Sequence, residues 1–342
     1  MWNFSGKFAG KFVGKLAGKL AGKRAAAFGI DIGSSTVKLL QLRRHGRAYR
    51  VEFCAVRPVP AGAVAEKRIM DAAAVGTALQ DPAPARPGIA RRAVVAVPSS
   101  AVITRQLEFA AALGAAELEV QVATEAERHL PFALSEVALD FVRLAAPPAA
   151  ATPATVLLAA CRKEHVESRV AALAQGGYAA AVVEIETQAV ERAFALLGDS
   201  AGVVALADLG GGGFTLYVLH DGAVIYAREQ SLAGARLGAM EAKSLLPELL
   251  AHEQLTQLRR ALQVFYSSSA YPAVDRLVLA GGGAVHPGLT ALAEDLLQMP
   301  ATLANPLAAM GGGPGVDTAQ LAREGPALFL ATGLALRGLR DA

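Results

Sequence analysis

Two segments of the chain share one pattern of apolar and polar positions. In each, an apolar run ends in an aspartate, a short turn of glycine and small residues follows, and a second apolar run begins. They are FGIDIGSSTVKLLQL at Phe28–Leu42 and VALADLGGGGFTLYVL at Val204–Leu219. Apolar runs separated by an acidic residue and glycine are typical of β-hairpins. The pattern therefore predicts two hairpins, with Asp31 and Asp208 at equivalent places.

The rest of the chain mixes short β-rich runs with helical periods, as in an α/β protein. Strands are predicted at Arg47–Val59 and Ala93–Pro98, and helices at Ala112–Leu130 and Arg162–Gly177. A strand running into a helix is predicted at Tyr178–Gly198, and a strand, a glycine turn and a helix at Asp275–Leu297. The pattern from Leu237 to Ser268 is mostly helical, and a last helix is predicted at Gly325–Leu339.

Composition indicates large buried cores. The chain has 342 residues, of which 53% are apolar and 18% are charged, so it is long enough for two domains or two lobes. Cys54 and Cys161 lie in apolar runs without metal-site or disulfide spacing, and we interpret them as buried reduced thiols of a cytoplasmic protein. No apolar stretch reaches the length of a membrane-spanning helix.

Residues 1–27 form a basic repeat without acidic residues. Its glycines would each cost a helix about 1 kcal/mol relative to alanine, so we expect this tail to be disordered in water. Reversible binding to an anionic membrane surface is one interpretation of the repeat, and a solvated low-complexity extension is the other. The basic residues are Lys7, Lys11, Lys15, Lys19, Lys23 and Arg24, and the aromatic ones are Trp2, Phe4, Phe8 and Phe12.

The two predicted turns have the composition of phosphate-binding loops. Glycine permits backbone N–H groups to converge on an anion, and a lysine reaches a β- or γ-phosphate as a point charge. Two aspartates can hold a hydrated Mg²⁺ between such turns. An ordinary hairpin remains the alternative for either turn alone, and the P-loop and dinucleotide signatures are absent. The candidate residues are Asp31, Gly33, Ser34, Ser35, Thr36 and Lys38 in the first segment, and Asp208, Gly210, Gly211 and Gly212 in the second.

Two further segments extend this candidate site. The turn Gly281, Gly282, Gly283 joins a strand to a helix and could pass flat against a nucleoside, although close strand–helix packing would also require these glycines. Glu186 stands just upstream of the second hairpin, where a carboxylate could order an attacking or metal-bound water. We interpret Glu191 and Arg192, on the same predicted helix, as a solvated face.

The chain resembles the actin-like ATPase superfamily, with phosphate-1, phosphate-2 and adenosine segments in that superfamily's order. Within it, roughly residues 28–340 resemble the family of type IV pilus assembly protein PilM, and the middle runs are more specific than the glycine turns. The runs that carry the resemblance are GIDIGSSTVKLLQL, EAERHLPFALSEVALDFVRL, CRKEHVESRVAALAQGGY, ETQAVERAF, YAREQSLAG, LAGGGAVHPGL and ANPLAAM.

The resemblance implies an actin-like ATPase fold of duplicated ribonuclease-H-like lobes. It also implies an inserted subdomain of the kind found in the division protein FtsA. The stretch between Gly234 and Leu277 is shorter than the family pattern, which implies a shortened subdomain in the second lobe. The expected units are a basic tail at 1–27, a first lobe at 28–96, an inserted partner-binding subdomain at 97–177, a return to the first lobe at 178–200, a second lobe at 201–324 and a C-terminal helix on the first lobe at 325–342.

The same resemblance implies ATP and Mg²⁺ as cofactors with feeble turnover. Asp31, Gly33, Ser34, Ser35 and Lys38 fall on the first phosphate segment. Asp208 and Gly210–Gly212 fall on the second, Gly281–Gly283 on the adenosine segment, and Glu186 beside the metal. Asp31 and Asp208 are thus the candidate metal ligands, and Glu186 and Asp208 the candidate catalytic residues.

The implied partners are the cytoplasmic N-terminal peptide of the membrane protein PilN and the motor and platform proteins of the pilus, with self-association possible and no nucleic acid. The protein would then lie in the cytoplasm, held at the inner membrane by its partners. Two alternatives remain: an actin-superfamily ATPase or kinase with genuine turnover, and a scaffold of division or type II secretion like FtsA or GspL.

Overall fold

The two predicted hairpins form the centres of two separate sheets. The computed structural model describes residues 26–46, 48–80, 91–110, 113–144, 153–232 and 246–340. The first hairpin consists of β1 (Phe28–Ile32) and β2 (Thr36–His45). The strands that follow are β3 (Ala48–Pro58), β4 (Val64–Ala65), β5 (Arg68–Ile69), β6 (Arg91–Val97), β7 (Val102–Phe109), β8 (Val137–Arg143), β9 (Ala154–Arg162) and β10 (Tyr178–Ile185).

The second hairpin consists of β11 (Val203–Gly210) and β12 (Gly213–His220). The last strands are β13 (Ala223–Ser231), β14 (Arg276–Ala280), β15 (Ala301–Leu303) and β16 (Gly311–Gly312). The helices are α1 (Ala72–Leu79), α2 (Ala115–His129), α3 (Lys163–Gln175), α4 (Glu186–Phe194), α5 (Leu246–Ser268), α6 (Leu289–Leu297), α7 (Thr318–Glu324) and α8 (Phe329–Arg340).

The two sheets repeat one topology. The first has the strand order β10-β6-β1-β2-β3-β16, and the second has the order β13-β12-β11-β14-β15. In each, a three-stranded antiparallel meander begins with the hairpin, and a later strand pairs in parallel with the first strand of that hairpin. This duplication confirms the α/β fold class predicted from the paired hairpins.

Each sheet has its own apolar core. The first sheet packs on α1 and α3 through residues such as Ile30, Leu39 and Leu173. The second packs on α5 and α6 through residues such as Leu216, Leu255 and Phe265. Both first strands are buried over most of their length, which is why these strands appear in the sequence as nearly continuous apolar runs.

Helices α4 and α8 belong to a third core that joins the two sheets. This core takes Val94 from the first sheet and Leu206 from the second, together with Phe194 of α4. The backbones of the two helices almost touch, since a Cβ placed on Gly333 would lie within 2 Å of the Ala189 carbonyl oxygen. The site between the two sheets is therefore built on one shared core.

A separate antiparallel sheet, β7-β9-β8, is inserted between β6 and α3. It packs on α2 through its own core, which includes Leu107, Val122 and Leu158. Helix α3, placed in the inserted subdomain by the expected bounds of 97–177, instead packs on α1. The reason is its apolar face of Val166, Ala172 and Leu173, which lies in the core of the first sheet.

The structure differs from the sequence expectations in a few other places. The interpretation of Glu191 and Arg192 as a solvated face is wrong. Glu191 accepts a hydrogen bond from the Val224 backbone N–H at 2.8 Å, and Arg192 pairs with Glu184.

The expected basic tail up to residue 25, and residues 237–245 of the mostly helical stretch, lie outside the described residues. Among the helices of the described residues, none combines the length and the hydropathy of a membrane-spanning segment.

We predict that Gly333→Ala destabilises the fold by about 1–3 kcal/mol, because the added methyl group overpacks the contact between α4 and α8. Urea unfolding followed by circular dichroism measures the effect. Gly311→Ala is the matched control, since a Cβ at Gly311 meets nothing within 4 Å. Equal unfolding midpoints for the two variants would contradict the assigned packing.

We predict that Glu191 makes stability depend on pH. Burial raises the pKa of Glu191 to about 7 from its usual 4.5, so the folded chain keeps a proton that the unfolded chain loses. The contribution is therefore complete below about pH 4.5 and falls as the pH rises towards 7. Urea unfolding at several pH values should show the free energy of unfolding falling between about pH 4.5 and 7, both in the wild type and in the exposed control Glu127→Gln. If Glu191→Gln shows the same pH dependence of stability as the wild type, Glu191 is not its source.

Candidate functional site

The tips of the two hairpins face each other across the space between the sheets. A Cβ on Gly211 would lie 2.3 Å from the Ser35 hydroxyl oxygen, and a Cβ on Gly212 would lie 3.2 Å from that of Ser34. A Cβ at Gly211 would require the Ser35 hydroxyl group to move away. The hydroxyl groups of the first turn and the backbone of the second therefore line one narrow space.

The aspartates of the two hairpins occupy equivalent register positions with different partners. Asp31 is paired across β1 and β2 with Lys38, whose Nζ donates a hydrogen bond to Asp31 Oδ2 at 2.8 Å. Asp208 is paired across β11 and β12 with Thr215. The first turn is closed by the Gly33 N–H, which donates to the Thr36 carbonyl at 3.0 Å. The duplicated hairpins thus supply two carboxylates and one amine to the site.

The charges of this site lie close enough to affect one another. Burial alone would lower the pKa of Lys38, but the carboxylates of Asp31 and Asp208 outweigh it and the pKa is raised. Burial also raises the pKa of Asp208; Asp31 and Glu186 add to this rise, while Lys67 and Lys38 oppose it. An additional positive charge near Asp208 would favour its ionised form, and bound Mg²⁺ would supply one.

A second lysine, missed by sequence reasoning, lies at the same site. Lys67 is in the two-residue turn between β4 and β5, and its Nζ donates to Glu186 Oε2 at 2.7 Å. Burial alone would lower its pKa, but the carboxylates of Glu186 and Asp208 outweigh this and raise it. A glutamate–lysine turn between two-residue strands carries no recognisable sequence signal, so only the tertiary contact identifies Lys67.

Glu186, the predicted water-ordering acid, is the first residue of α4 and is buried. Its Oε2 accepts hydrogen bonds from Lys67 and from the Tyr217 hydroxyl, the latter at 3.0 Å. Tyr217 belongs to β12 of the other sheet, and burial together with the Glu186 carboxylate raises its pKa well above the usual value. Glu186 therefore joins both lobes through one carboxylate oxygen.

The third glycine segment lies directly over the second aspartate. Gly281 has φ of +87°, and a Cβ there would lie 2.3 Å from Asp208 Oδ1. Its N–H donates to the Pro326 carbonyl at 2.8 Å. Gln254 of α5, another residue missed from sequence, donates to the Gly210 carbonyl at 2.8 Å. The sequence left two explanations open for this glycine, which were close packing of a strand and a helix and close approach to the site. Both apply to Gly281, because it packs against its neighbours and also lies beside Asp208.

The residues brought together fit a magnesium-bound polyphosphate chemically. Lysines, hydroxyl groups and glycine backbone suit phosphate oxygens, and Asp31 and Asp208 suit Mg²⁺. Among the described residues, no cluster of three or more His, Cys, Asp or Glu side chains could hold a metal by itself. Mg²⁺ would then take most ligands from phosphate and water, as it usually does in nucleotide sites.

The predicted site residues lie at four places around the space between the lobes: the first hairpin from the end of β1 to the start of β2, the second hairpin from the end of β11 into its turn, the junction between β14 and α6, and the start of α4. Their roles in binding ATP and Mg²⁺ remain predictions. The residues that sequence reasoning missed are Lys67, Tyr217, Gln254 and the buried Arg169, whose Nη2 donates to the Lys67 carbonyl at 2.9 Å.

Comparison with known proteins agrees with this architecture. The family model for type IV pilus assembly protein PilM matches residues 29–245 and 241–339. A solved structure of the PilM–PilN type IV pilus biogenesis complex is 27% identical, with a TM-score of 0.72, over 92% of this chain and 99% of that chain.

More distant likenesses carry no argument about function. Ethanolamine utilization protein EutJ from Carboxydothermus hydrogenoformans is 13% identical, with a TM-score of 0.48, over 95% of this chain and 93% of its own. MreB 5 of Spiroplasma citri bound to AMPPNP is 10% identical, with a TM-score of 0.47, over 94% and 98%.

The family model covers nearly all of the described chain, and the paired sheets with facing glycine turns have the arrangement of the actin-like ATPase fold. The chain therefore belongs to the type IV pilus assembly protein PilM family.

Proposed function

We propose that this protein is the ATP-binding, actin-like component of the type IV pilus assembly platform on the cytoplasmic side of the inner membrane. There it docks the cytoplasmic N-terminal tail of PilN and couples it to the motor and platform proteins. The observation that carries the proposal is the 27% identity, over almost the whole length of both chains, to the PilM of a solved PilM–PilN complex.

The nucleotide would bind with its phosphates between the two hairpin turns. Lys38 and Lys67 supply positive charge, Ser34 and Ser35 supply hydroxyl donors, and Asp208 faces the same space. Bound Mg²⁺ would neutralise charge on the phosphate oxygens. A ligand held by both hairpins would favour closure of the two lobes about their shared core, a motion typical of hinged nucleotide-binding proteins.

The hydrogen bonding of Glu186 supports a nucleotide that acts first as a conformational cofactor. A general base must be free to take a proton from the water that it activates. Here the Oε2 atom of Glu186 accepts a hydrogen bond from the buried Tyr217 hydroxyl of the other lobe, so the carboxylate serves the contact between the lobes. This arrangement supports a nucleotide that acts first through the lobes, and it gives no support to a kinase with rapid turnover.

The first lobe with its inserted sheet is the proposed surface for the PilN tail. An extended peptide can add to the edge of a sheet or lie in a groove beside it. The inserted sheet has β7 and β8 at its two edges, and its attachments to the first lobe are β6 and α3. Contact of residues 1–27 with anionic lipid, and self-association, are further parts of this proposal that rest on sequence alone.

We predict that Asp208→Asn reduces the effect of Mg²⁺ on ATP binding. In the wild type, Mg²⁺ should tighten ATP binding by about tenfold or more, equivalent to about 1.4 kcal/mol, because the carboxylate helps to hold the ion. In the variant, calorimetry should give a clearly smaller Mg²⁺ effect, since Asp31 and the phosphates remain as ligands. Asp295→Asn, an exposed substitution on α6, is the matched control and should behave as the wild type. A full Mg²⁺ effect in Asp208→Asn would contradict the assignment.

We predict that the purified protein binds the N-terminal PilN peptide, and that Mg·ATP strengthens the binding because closing the lobes orders the first lobe and its inserted sheet. Calorimetry with the peptide, a scrambled peptide and the C-terminal tail peptide of a division-ring protein measures this. Binding to the division-ring peptide alone would favour the FtsA-like alternative, and binding to neither peptide would refute the partner.

A steady-state ATPase rate well above one per minute, on the order of typical enzymes, would favour the enzyme alternative.

A further inference from the structure

The turn between β4 and β5 is strained. Glu66 and Lys67, its two central residues, have φ of +48° and +56°. Two-residue hairpin turns of this kind normally use asparagine, aspartate and glycine, because a Cβ is disfavoured at positive φ. Strain in a backbone persists only where the surroundings enforce it, and such positions cluster at ligand sites.

Both ends of Lys67 are held by buried groups. Its carbonyl accepts from Arg169 Nη2 at 2.9 Å, and its Nζ donates to Glu186 Oε2 at 2.7 Å. Arg169 is 3% exposed and Glu186 is 6% exposed, whereas about a quarter of the Lys67 side chain remains accessible. The amine is therefore anchored at Glu186, while part of the Lys67 side chain remains accessible.

Lys67 supplies the positive charge that the second hairpin lacks. The first hairpin pairs Asp31 with Lys38, but the equivalent partner of Asp208 is Thr215. Lys38 and Lys67 both act electrostatically on Asp208. A polyphosphate beside Asp208 would thus meet one lysine from β2 and one from the strained turn.

We propose that Lys67 is a phosphate-binding residue that exchanges the Glu186 carboxylate for the terminal phosphate of a bound nucleoside triphosphate, so that the β4–β5 turn senses this phosphate. The inference rests on the proposed binding of ATP. A terminal phosphate carries more negative charge than one carboxylate and offers three acceptor oxygens. Glu186 would keep the hydrogen bond from Tyr217 after the exchange.

Arg169 gives the turn a path to the inserted sheet. Besides the Lys67 carbonyl, it donates through Nε to the Ala96 carbonyl at 2.6 Å, near the end of β6. Arg169 itself lies on α3, which begins directly after β9. The buried guanidinium of Arg169 thus contacts the β4–β5 turn, and it also connects β6 with α3, the two attachments of the inserted sheet. A displacement of Lys67 would therefore be transmitted to the proposed partner-binding lobe.

The test compares a triphosphate with a diphosphate on the full chain. Calorimetry measures the affinities of Mg·AMPPNP and Mg·ADP for the wild type, Lys67→Met and Lys67→Arg. Lys67→Met should weaken AMPPNP by about tenfold or more, as expected for loss of a hydrogen bond to a charged group, and should weaken ADP by much less. Lys67→Arg, which keeps the charge, should recover part of the loss. Lys163→Met, on the exposed side of α3, is the matched control and should bind both nucleotides as the wild type does.

Equal losses for AMPPNP and ADP, or no loss for either, would overturn the role of Lys67 while leaving ATP binding intact. Absence of wild-type binding to both nucleotides would instead overturn the proposed function and this inference with it. Hydrogen exchange on the wild type tests the proposal even if Lys67→Met does not fold. Amides of residues 64–69 and 97–102 should change protection with AMPPNP and not with ADP, and identical protection in the two complexes would also overturn the proposal.

Discussion

The site depends on a balance of charges in a space that excludes much of the water. Asp31, Asp208 and Glu186 bring three carboxylates together, and mutual repulsion would push the elements that carry them apart if nothing opposed it. Lys38 and Lys67 oppose it and remain charged because those carboxylates surround them. The same ion pairs join β1 to β2 and the β4–β5 turn to α4. A phosphate chain would enter a site whose positive groups are already positioned by internal anions.

Glycine residues determine how closely the strands and helices around the site approach one another. At the site, Gly281 permits a contact with the backbone of Leu209 that a Cβ would block. Behind the site, Gly333 permits the contact of α8 with α4, on the core that both sheets share. A change in the distance between the hairpins would therefore be transmitted to the helices that hold the lobes together, because close-packed interiors yield little. This coupling is the physical basis for the proposal that a nucleotide acts here as a conformational cofactor.

Membership in the PilM family gives the inserted sheet its significance. The sheet has its own core with α2, but its connections to the first lobe pass beside Arg169. This buried arginine has no role in the phosphate turns themselves, and its three hydrogen bonds go to backbone carbonyls of β6, α3 and the β4–β5 turn. The proposed nucleotide site and the proposed partner surface are thus linked through backbone positions, which substitution of surrounding side chains leaves largely intact.

The sequence by itself determined both hairpins, their aspartates and the α/β class, because apolar periodicity and glycine turns are local patterns that survive in any context. It also determined the family, through runs such as ETQAVERAF. Only the tertiary structure decided that Lys67 meets Glu186, 119 positions away, and that Tyr217 and Gln254 join the site. It also placed α3 on the first lobe and brought Glu191 into hydrogen-bond contact with Val224 of the second sheet. These facts depend on which faces meet after folding, and a lysine or glutamate has the same local pattern whether its partner is water or a distant buried charge.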